Sequence, residues 1–145
     1  MSAKNFFTEE QKQAIQQAIA NAELNTSGEV RVHIEAKCKG DALNAAVETF
    51  DKLKMHKTAL RNGVLFYIAV DDKKLAIVGD KGINETVPKG FWDTIRDTML
   101  SHFKNQEFTE GLCKGIEMAG EKLKTHFPYQ SNDKNELSND VSFGK

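Results

Sequence analysis

One uninterrupted apolar run, GVLFYIAV at residues 63–70, constrains the fold more than any other feature of the sequence. It has no polar alternation, which is typical of a strand buried on both of its faces. The run is also far too short to cross a bilayer as a helix. A strand covered on both faces needs a layer of helices on each side, so the sequence predicts an α/β fold.

A second strand is predicted at residues 29–36, where apolar and polar side chains alternate. On this prediction one face carries Val30, Val32, Ile34 and Ala36, and the other carries Glu29, Arg31, His33 and Glu35. A helix capped by Asp41 follows and leads into the apolar run, and this order predicts a right-handed βαβ unit with parallel strands. After a polar turn at residues 71–74, residues 75–78 return as a short antiparallel strand. The central sheet is therefore expected to be mixed and mainly parallel.

Helices are expected to cover both faces of this sheet. Thr8 and Gln11 match a capping box ahead of a helix that has a thin stripe of small apolar residues. Residues 91–103 give a later helix a heavy apolar face, and Thr109 is expected to cap the last helix. These elements predict one α/β domain at residues 1–129. Residues 130–145 are polar and are predicted to form a flexible tail.

Composition narrows the class of protein. The chain has 145 residues, of which 39% are hydrophobic and 28% are charged, and this suits one globular domain. Its formal net charge of −1 gives no general attraction to nucleic acid or to anionic lipid. The first residues lack the apolar stretch of a signal peptide. We therefore expect a cytoplasmic monomer with no membrane span and no nucleic-acid partner.

The loop after the third strand is the strongest candidate for a binding site. Asp80 and Glu85 supply carboxylates there, Asn84 supplies an amide oxygen, and Gly82 leaves its carbonyl unobstructed. Ca²⁺ and other hard cations bind several oxygens of these kinds on a tightly turning backbone. The alternative interpretation is an ordinary glycine-rich connector whose Asp accepts backbone N–H bonds.

Topology gathers more oxygen ligands at the same edge of the sheet. The hairpin places Asp80, at the end of the third strand, beside Asn62, at the start of the second. A parallel neighbour brings Glu29, the first residue of its strand, to that edge as well. The predicted ligands of a Ca²⁺ or Mg²⁺ ion are therefore Asp80, Glu29, Asn62 and Glu85. Clustered carboxylates repel one another unless a cation or a base joins them, and Arg31 or Arg61 can do so instead.

Two other polar clusters carry weaker predictions. Asp71 and Asp72 follow a buried parallel strand, a frequent place for ligand contacts in α/β sheets, so they are the less favoured cation ligands. The same Asp-Asp-Lys-Lys sequence is also an ordinary, self-neutralising turn. His33 shares a strand face with Arg31 and Glu35, a row that suits either a bound phosphate or a salt-bridged surface. No Walker loop, nucleophile elbow or nucleophile with an arranged base is apparent.

Four segments of the chain form a recognisable set: TSGEVRV at 26–32, RNGVLFYI at 61–68, AIVGDKGI at 76–83 and FKNQEFTEGL at 103–112. Across about residues 6–127 the sequence resembles the TPM-domain family. That family includes a thylakoid lumen acid phosphatase, photosystem II repair proteins and a membrane modulator of acetylcholine receptors. The tail, with Phe127-Pro128 and Phe143-Gly144-Lys145, resembles a short soluble bacterial branch of the family.

The resemblance implies an α-β-α sandwich that binds a divalent cation, with phosphatase activity in the plant branch. Asn62, Gly79 and Asp80 match the family's motif positions. The leading hypothesis is therefore an accessory or interaction protein that binds Ca²⁺ or Mg²⁺ and has an unidentified protein partner. The alternatives are a metal-assisted acid phosphatase and a protein-interaction module that needs no metal.

Overall fold

The computed structural model describes residues 6–129 and 139–144. The helices in that part of the chain are α1 (Glu9–Glu23), α2 (Ala42–Lys52), α3 (Lys81–Asn84), α4 (Asp93–Lys104) and α5 (Phe108–Leu123). The strands are β1 (Glu29–Glu35), β2 (Gly63–Ala69), β3 (Lys74–Gly79) and β4 (Ser142–Phe143). A 3₁₀ turn, Met55–Lys57, lies between α2 and β2.

The four strands form one sheet in the order β3-β2-β1-β4. β1 runs parallel to β2, with Glu29 opposite Gly63, and α2 makes the crossover between them. β2 and β3 form an antiparallel hairpin in which Val64 lies opposite Gly79. The predicted βαβ unit and the predicted returning strand are thus both confirmed, and the sheet is mixed.

Helices pack on both faces of this sheet. On one face, the even-numbered residues of β1 and β2 form a core with α1, α4 and α5; its members include Ile19, Val32, Phe66, Met99, Phe103 and Ile116. On the other face, a smaller core forms under α2 from residues such as Ala46, Phe50, Leu65 and Tyr67. All seven residues of β2 are buried, as the apolar run predicted. The α-β-α sandwich is confirmed.

The helix starts are partly as predicted. The capping box at α1 is confirmed, because Thr8 Oγ1 accepts a bond from the Gln11 N–H at 3.1 Å and Gln11 Oε1 accepts one from the Thr8 N–H at 2.9 Å. The prediction for the last helix is wrong by two positions: Glu107, with no side-chain bond, is the N-cap, and Thr109 lies in the first turn. The loop after β3 contains the short helix α3, whose N-cap is Asp80.

The C-terminal segment returns to the sheet. Residues 130–138 and 145, most of the predicted flexible tail, lie outside the described residues. The described part includes β4, which pairs in parallel with β1 so that Ser142 lies opposite His33 and Phe143 opposite Ile34. Phe143 also packs against the larger core. The domain boundary at residue 129 stays a prediction. None of the helices in residues 6–129 and 139–144 has the length and apolar character needed to span a bilayer.

Candidate functional site

Glu29 and Gly63, the first residues of β1 and β2, lie in one row with Asp80, which directly follows β3, at the edge predicted for the site. The register places Glu29 beside Gly63, and the Asp80 N–H donates to the Gly63 carbonyl at 2.9 Å. Because side chains opposite each other in a sheet point to the same face, the two carboxylates flank a glycine. Both acidic residues are buried, with exposed fractions of 4% and 6%. The predicted convergence of these segments is therefore present in the backbone.

The Asp80 carboxylate is held by three hydrogen bonds. Arg61 donates from Nε to Oδ2 at 2.8 Å and from Nη2 to Oδ1 at 2.9 Å. The Lys81 N–H donates to Oδ1 at 2.7 Å, which is the N-cap bond of α3. The bonds to Asp80 raise the pKa of the Arg61 guanidinium. Arg61 is thus the base that joins this carboxylate, one of the two arginines that the sequence offered for the role.

Asn62 lies immediately before β2 and is 2% exposed. Its Nδ2 donates to the Ser27 carbonyl at 2.8 Å, and its own N–H donates to Thr58 Oγ1 at 3.1 Å. The other end of the side chain differs, because Oδ1 is buried and has no hydrogen-bond partner among the described residues. A buried acceptor of this kind costs free energy unless something donates to it or coordinates it.

Gly79, a motif position, is explained by the packing of α3. A Cβ at this position would lie 2.8 Å from Ile83 Cγ2, so any other residue would push the helix away from β3. The Gly79 carbonyl also accepts a hydrogen bond from Asn84 Nδ2 at 3.0 Å. Glycine therefore sets the close approach that places Asp80 over the start of β2.

Glu85 is exposed at the C-cap of α3, on a cleft of about 600 Å³ that Asp80 also lines. Sequence reasoning missed three further polar residues of this cleft, Asp51, His56 and Lys81. A topological signal was present, because a βαβ crossover must return the chain to the edge where the next strand begins. The last turn of α2, with Asp51, therefore lies at the same edge as Asp80.

The opposite edge of the sheet holds Asp71 and Asp72 in structural contacts. Asp72 Oδ2 accepts a bond from the Cys38 N–H at 2.8 Å. Lys74 Nζ donates to the carbonyls of Cys38 and Gly40 at 2.9 and 2.8 Å. These bonds tie the β2–β3 turn to the segment before α2. Asp71 is exposed and its N–H donates to the Ala36 carbonyl at 2.8 Å.

Glu23, at the end of α1, adds a titratable carboxylate near Glu29. Burial raises the pKa of Glu23 from 4.5 to about 7, and the nearby Glu29 charge adds to the rise. A hydrogen bond from the Val30 N–H to Glu23 Oε2, at 3.2 Å, and one with Asn139 oppose it. The start of β1 is therefore a region where acidic groups are held close together with little water.

The donor chemistry of this edge fits a hard cation, since it consists of carboxylate and amide oxygens. The arrangement of these oxygens fits a cation less closely than their chemistry does. Among the residues that the structure describes, no three His, Cys, Asp or Glu side chains come together as a metal-binding group. Arg61 also engages both oxygens of Asp80. A cation that binds both oxygens of Asp80 therefore has to displace the guanidinium.

This layered sheet and its motif glycine define a small α-β-α domain. The chain belongs to the TPM domain family, whose model matches residues 1–122. It is 48% identical to the BA42 protein of the psychrophilic bacterium Bizionia argentinensis, whose NMR structure superposes with a TM-score of 0.91 over 97% of each chain.

Two more distant structures share the fold alone. One is the N-terminal domain of a protein from P. gingivalis, at 15% identity and a TM-score of 0.72, covering 88% of this chain and 83% of that one. The other is the N-terminal domain of the cg2496 protein from Corynebacterium glutamicum, at 10% identity and a TM-score of 0.62, covering 94% and 80%. No curated protein matches the chain.

Proposed function

We propose that this TPM-domain protein binds one divalent cation, Ca²⁺ or Mg²⁺, at the edge formed by Asp80, Glu29, Asn62 and Glu85, and acts as an accessory or interaction protein. The observation that carries the proposal is the row in which two buried carboxylates, Glu29 and Asp80, flank Gly63. Two interstrand spacings separate their Cα atoms by about 10 Å. Two acidic side chains that lean over a glycine can meet at one ion across this distance.

The orphan oxygen of Asn62 supports the same location. Its Oδ1 is buried without a partner among the described residues, at the start of the strand to which Gly63 belongs. A hard cation takes amide oxygens as well as carboxylates, at about 2.3–2.6 Å for Ca²⁺. Glu85, exposed on the cleft that Asp80 also lines, is the further oxygen ligand in this proposal.

Arg61 is the built-in counter-ion in this proposal. Its side chain is 46% exposed, whereas the side chain of Asp80 is 6% exposed. The guanidinium can therefore swing into solvent while the carboxylate stays in place to receive the cation. The cation then takes the place of the guanidinium beside Asp80, so the buried carboxylate is not left unpaired.

The test is a backbone NMR titration of the full chain with Ca²⁺ and with Mg²⁺. Saturable shifts are expected for amides around Glu29, Asn62 and Asp80, and Asp80→Asn should remove them because it keeps the side-chain shape but loses the charge. Asp71→Asn is the matched control at the opposite edge and should leave them unchanged. Loss of the shifts in Asp71→Asn alone would place the site at the Asp71–Asp72 turn and refute the proposal.

An aryl-phosphate assay on the same samples separates the alternative functions. Saturable shifts without phosphate release support a binding protein. Phosphate release that requires the cation and Asp80 supports the metal-assisted phosphatase, in which the ion neutralises phosphate charge and a carboxylate positions water. The absence of any saturable shift would refute cation binding and leave the metal-independent interaction module.

A further inference from the structure

The face of β1 opposite the larger core carries a hydrogen-bonded chain of three side chains. Ser142, on β4, has its Oγ 2.9 Å from His33 Nδ1. The other ring nitrogen of His33, Nε2, lies 3.1 Å from Glu35 Oε2. The sequence separates Ser142 from His33 by 109 positions, and only the pairing of β4 with β1 brings them together.

The direction of these hydrogen bonds follows from the acceptor chemistry of the chain. An ionised Glu35 carboxylate can only accept, so in neutral His33 the proton sits on Nε2. Nδ1 then carries the lone pair and accepts the O–H of Ser142. This is the tautomer in which an imidazole removes a proton from a serine, with a carboxylate behind it to stabilise the imidazolium that forms.

The packing around the three groups fixes their positions. The His33 ring stacks on Tyr67, with centroids 5.8 Å apart and planes inclined by 18°. Burial raises the pKa of Tyr67, and Cys38 adds to the rise, so the supporting ring stays uncharged. Gly144 follows β4, and a Cβ there would overlap the Glu35 carboxylate. The glycine at position 144 therefore allows the C-terminal segment to pack directly against the Glu35 carboxylate.

A hydrogen-bond donor without a partner lies on the same strand face. Arg31 is two residues before His33, about 7 Å along the strand. Its Nε is buried and has no hydrogen-bond partner among the described residues. Arg31, Glu35 and Ser142 are each half-buried, so part of each residue is exposed to solvent, while His33 is 7% exposed.

We propose that Ser142, His33 and Glu35 form a nucleophilic site that hydrolyses carboxylic esters, with Arg31 donating to the oxyanion. Ser142 and His33 are the catalytic residues, and Glu35 is a positioning residue that acts through His33. Arg31 supplies the positive hydrogen-bond donor that a developing alkoxide needs. This activity is separate from cation binding at the Asp80 edge and requires no metal.

The reaction proceeds in two half-reactions. Ser142 Oγ forms a bond to the ester carbonyl carbon while its proton passes to His33 Nδ1, and the carbonyl π electrons move to the oxygen that faces Arg31. The intermediate collapses, the C–O bond to the alcohol breaks, and the alcohol leaves with the proton from His33. Water then attacks the acyl-Ser142 ester, again giving its proton to His33. The acyl bond to Oγ breaks, Oγ regains the proton, and the carboxylic acid departs.

The test uses a fluorophosphonate and 4-nitrophenyl acetate with the full chain. Peptide mapping should find the phosphonyl group on Ser142. Ser142→Ala should lose both the label and the turnover, and His33→Gln should slow labelling by roughly 10²-fold. Ser101→Ala, which removes an exposed serine of α4, is the matched control and should keep both.

The position of the label is mapped in the wild type, so it tests whether Ser142 is the nucleophile even if Ser142→Ala destabilises β4. No label on Ser142, or equal labelling in wild type and His33→Gln, would overturn the proposal. Glu35→Gln tests the positioning role. It should lower kcat for 4-nitrophenyl acetate while KM stays nearly constant, whereas a merely structural role would lower the melting temperature and leave kcat unchanged.

Discussion

Arg61 and Asp80 form a bidentate ion pair that links the segment before β2 to the start of α3. Nε lies 2.8 Å from Oδ2, and Nη2 lies 2.9 Å from Oδ1. Arg61 has a φ of +51°, a left-handed backbone conformation that non-glycine residues seldom adopt. The chain thus accepts an unfavourable backbone geometry at the residue that neutralises the buried carboxylate.

The first prediction concerns competition between Arg61 and a cation. Arg61→Ala has the same left-handed backbone penalty as the wild type, so it isolates the loss of the guanidinium. The variant should melt at a lower temperature without divalent ions, because Asp80 loses two of its three hydrogen bonds. Saturating CaCl₂ should raise its melting temperature by more than it raises that of the wild type. An equal rise for both proteins, or an equal rise with NaCl of matched ionic strength, would contradict this prediction.

The second prediction concerns Gly82, in α3. A Cβ there would overlap the carbonyl oxygen of Leu60 and lie 2.6 Å from that of Arg61. Gly82→Ala should therefore destabilise the fold by about 3 kcal/mol, the upper end of overpacking costs, although alanine favours helix. Gly115→Ala is the comparison, because its Cβ meets the flexible Met99 side chain, which can move. If both variants lose a similar free energy of unfolding in urea, the backbone before β2 moves as easily as the Met99 side chain, which contradicts this prediction.

The edge that holds Asp80 was predictable from periodicity and topology. Alternation in β1 and its absence in β2 identified two strands, the second of them buried on both faces, and the short hairpin required Asp80 to return beside Asn62. The parallel register then places Glu29 at the same edge. These inferences depend only on strand direction, which the sequence pattern encodes locally.

The contacts within that edge were not predictable in the same way. Arg31 and Arg61 were both possible partners of Asp80, and the choice of Arg61 depends on its left-handed backbone conformation, which an arginine does not signal in the sequence. The strand β4 was equally hard to predict from the sequence, because two residues are too few for an alternating pattern. Ser142 and His33 therefore meet only in the folded chain.

The third prediction concerns the central strand. Phe66 has no exposed surface and lies in the core formed with α1, α4 and α5. Phe66→Ala should lower the free energy of unfolding by about 3–5 kcal/mol, because it leaves a cavity that neighbouring strands cannot close. Leu43→Ala is the control: this leucine is 52% exposed on α2, and its loss should cost about 0.5 kcal/mol or less in the same urea unfolding experiment. Comparable losses would contradict the central position of β2.

The fourth prediction concerns the pH dependence of stability. Burial, reinforced by Glu29, raises the pKa of Glu23 to about 7 in the folded protein, from 4.5 without these surroundings. The folded state therefore binds this proton more tightly than the unfolded chain. The resulting stabilisation is fully present below about pH 4.5, and it is lost as the pH rises through about 7. Above that pH the folded protein carries a buried negative charge at the end of α1.

Glu23→Gln should remove this dependence, because the amide has no charge to bury and its oxygen can still accept the Val30 N–H. The urea midpoint of the variant should change less than that of the wild type between about pH 5 and about pH 8, and at the higher pH the variant should be the more stable protein. Glu121→Gln, at an exposed position on α5, is the control and should follow the wild type. If Glu23→Gln is instead less stable than the wild type at about pH 8, the ionised carboxylate is held favourably by Val30 and Asn139, and burial does not dominate its pKa.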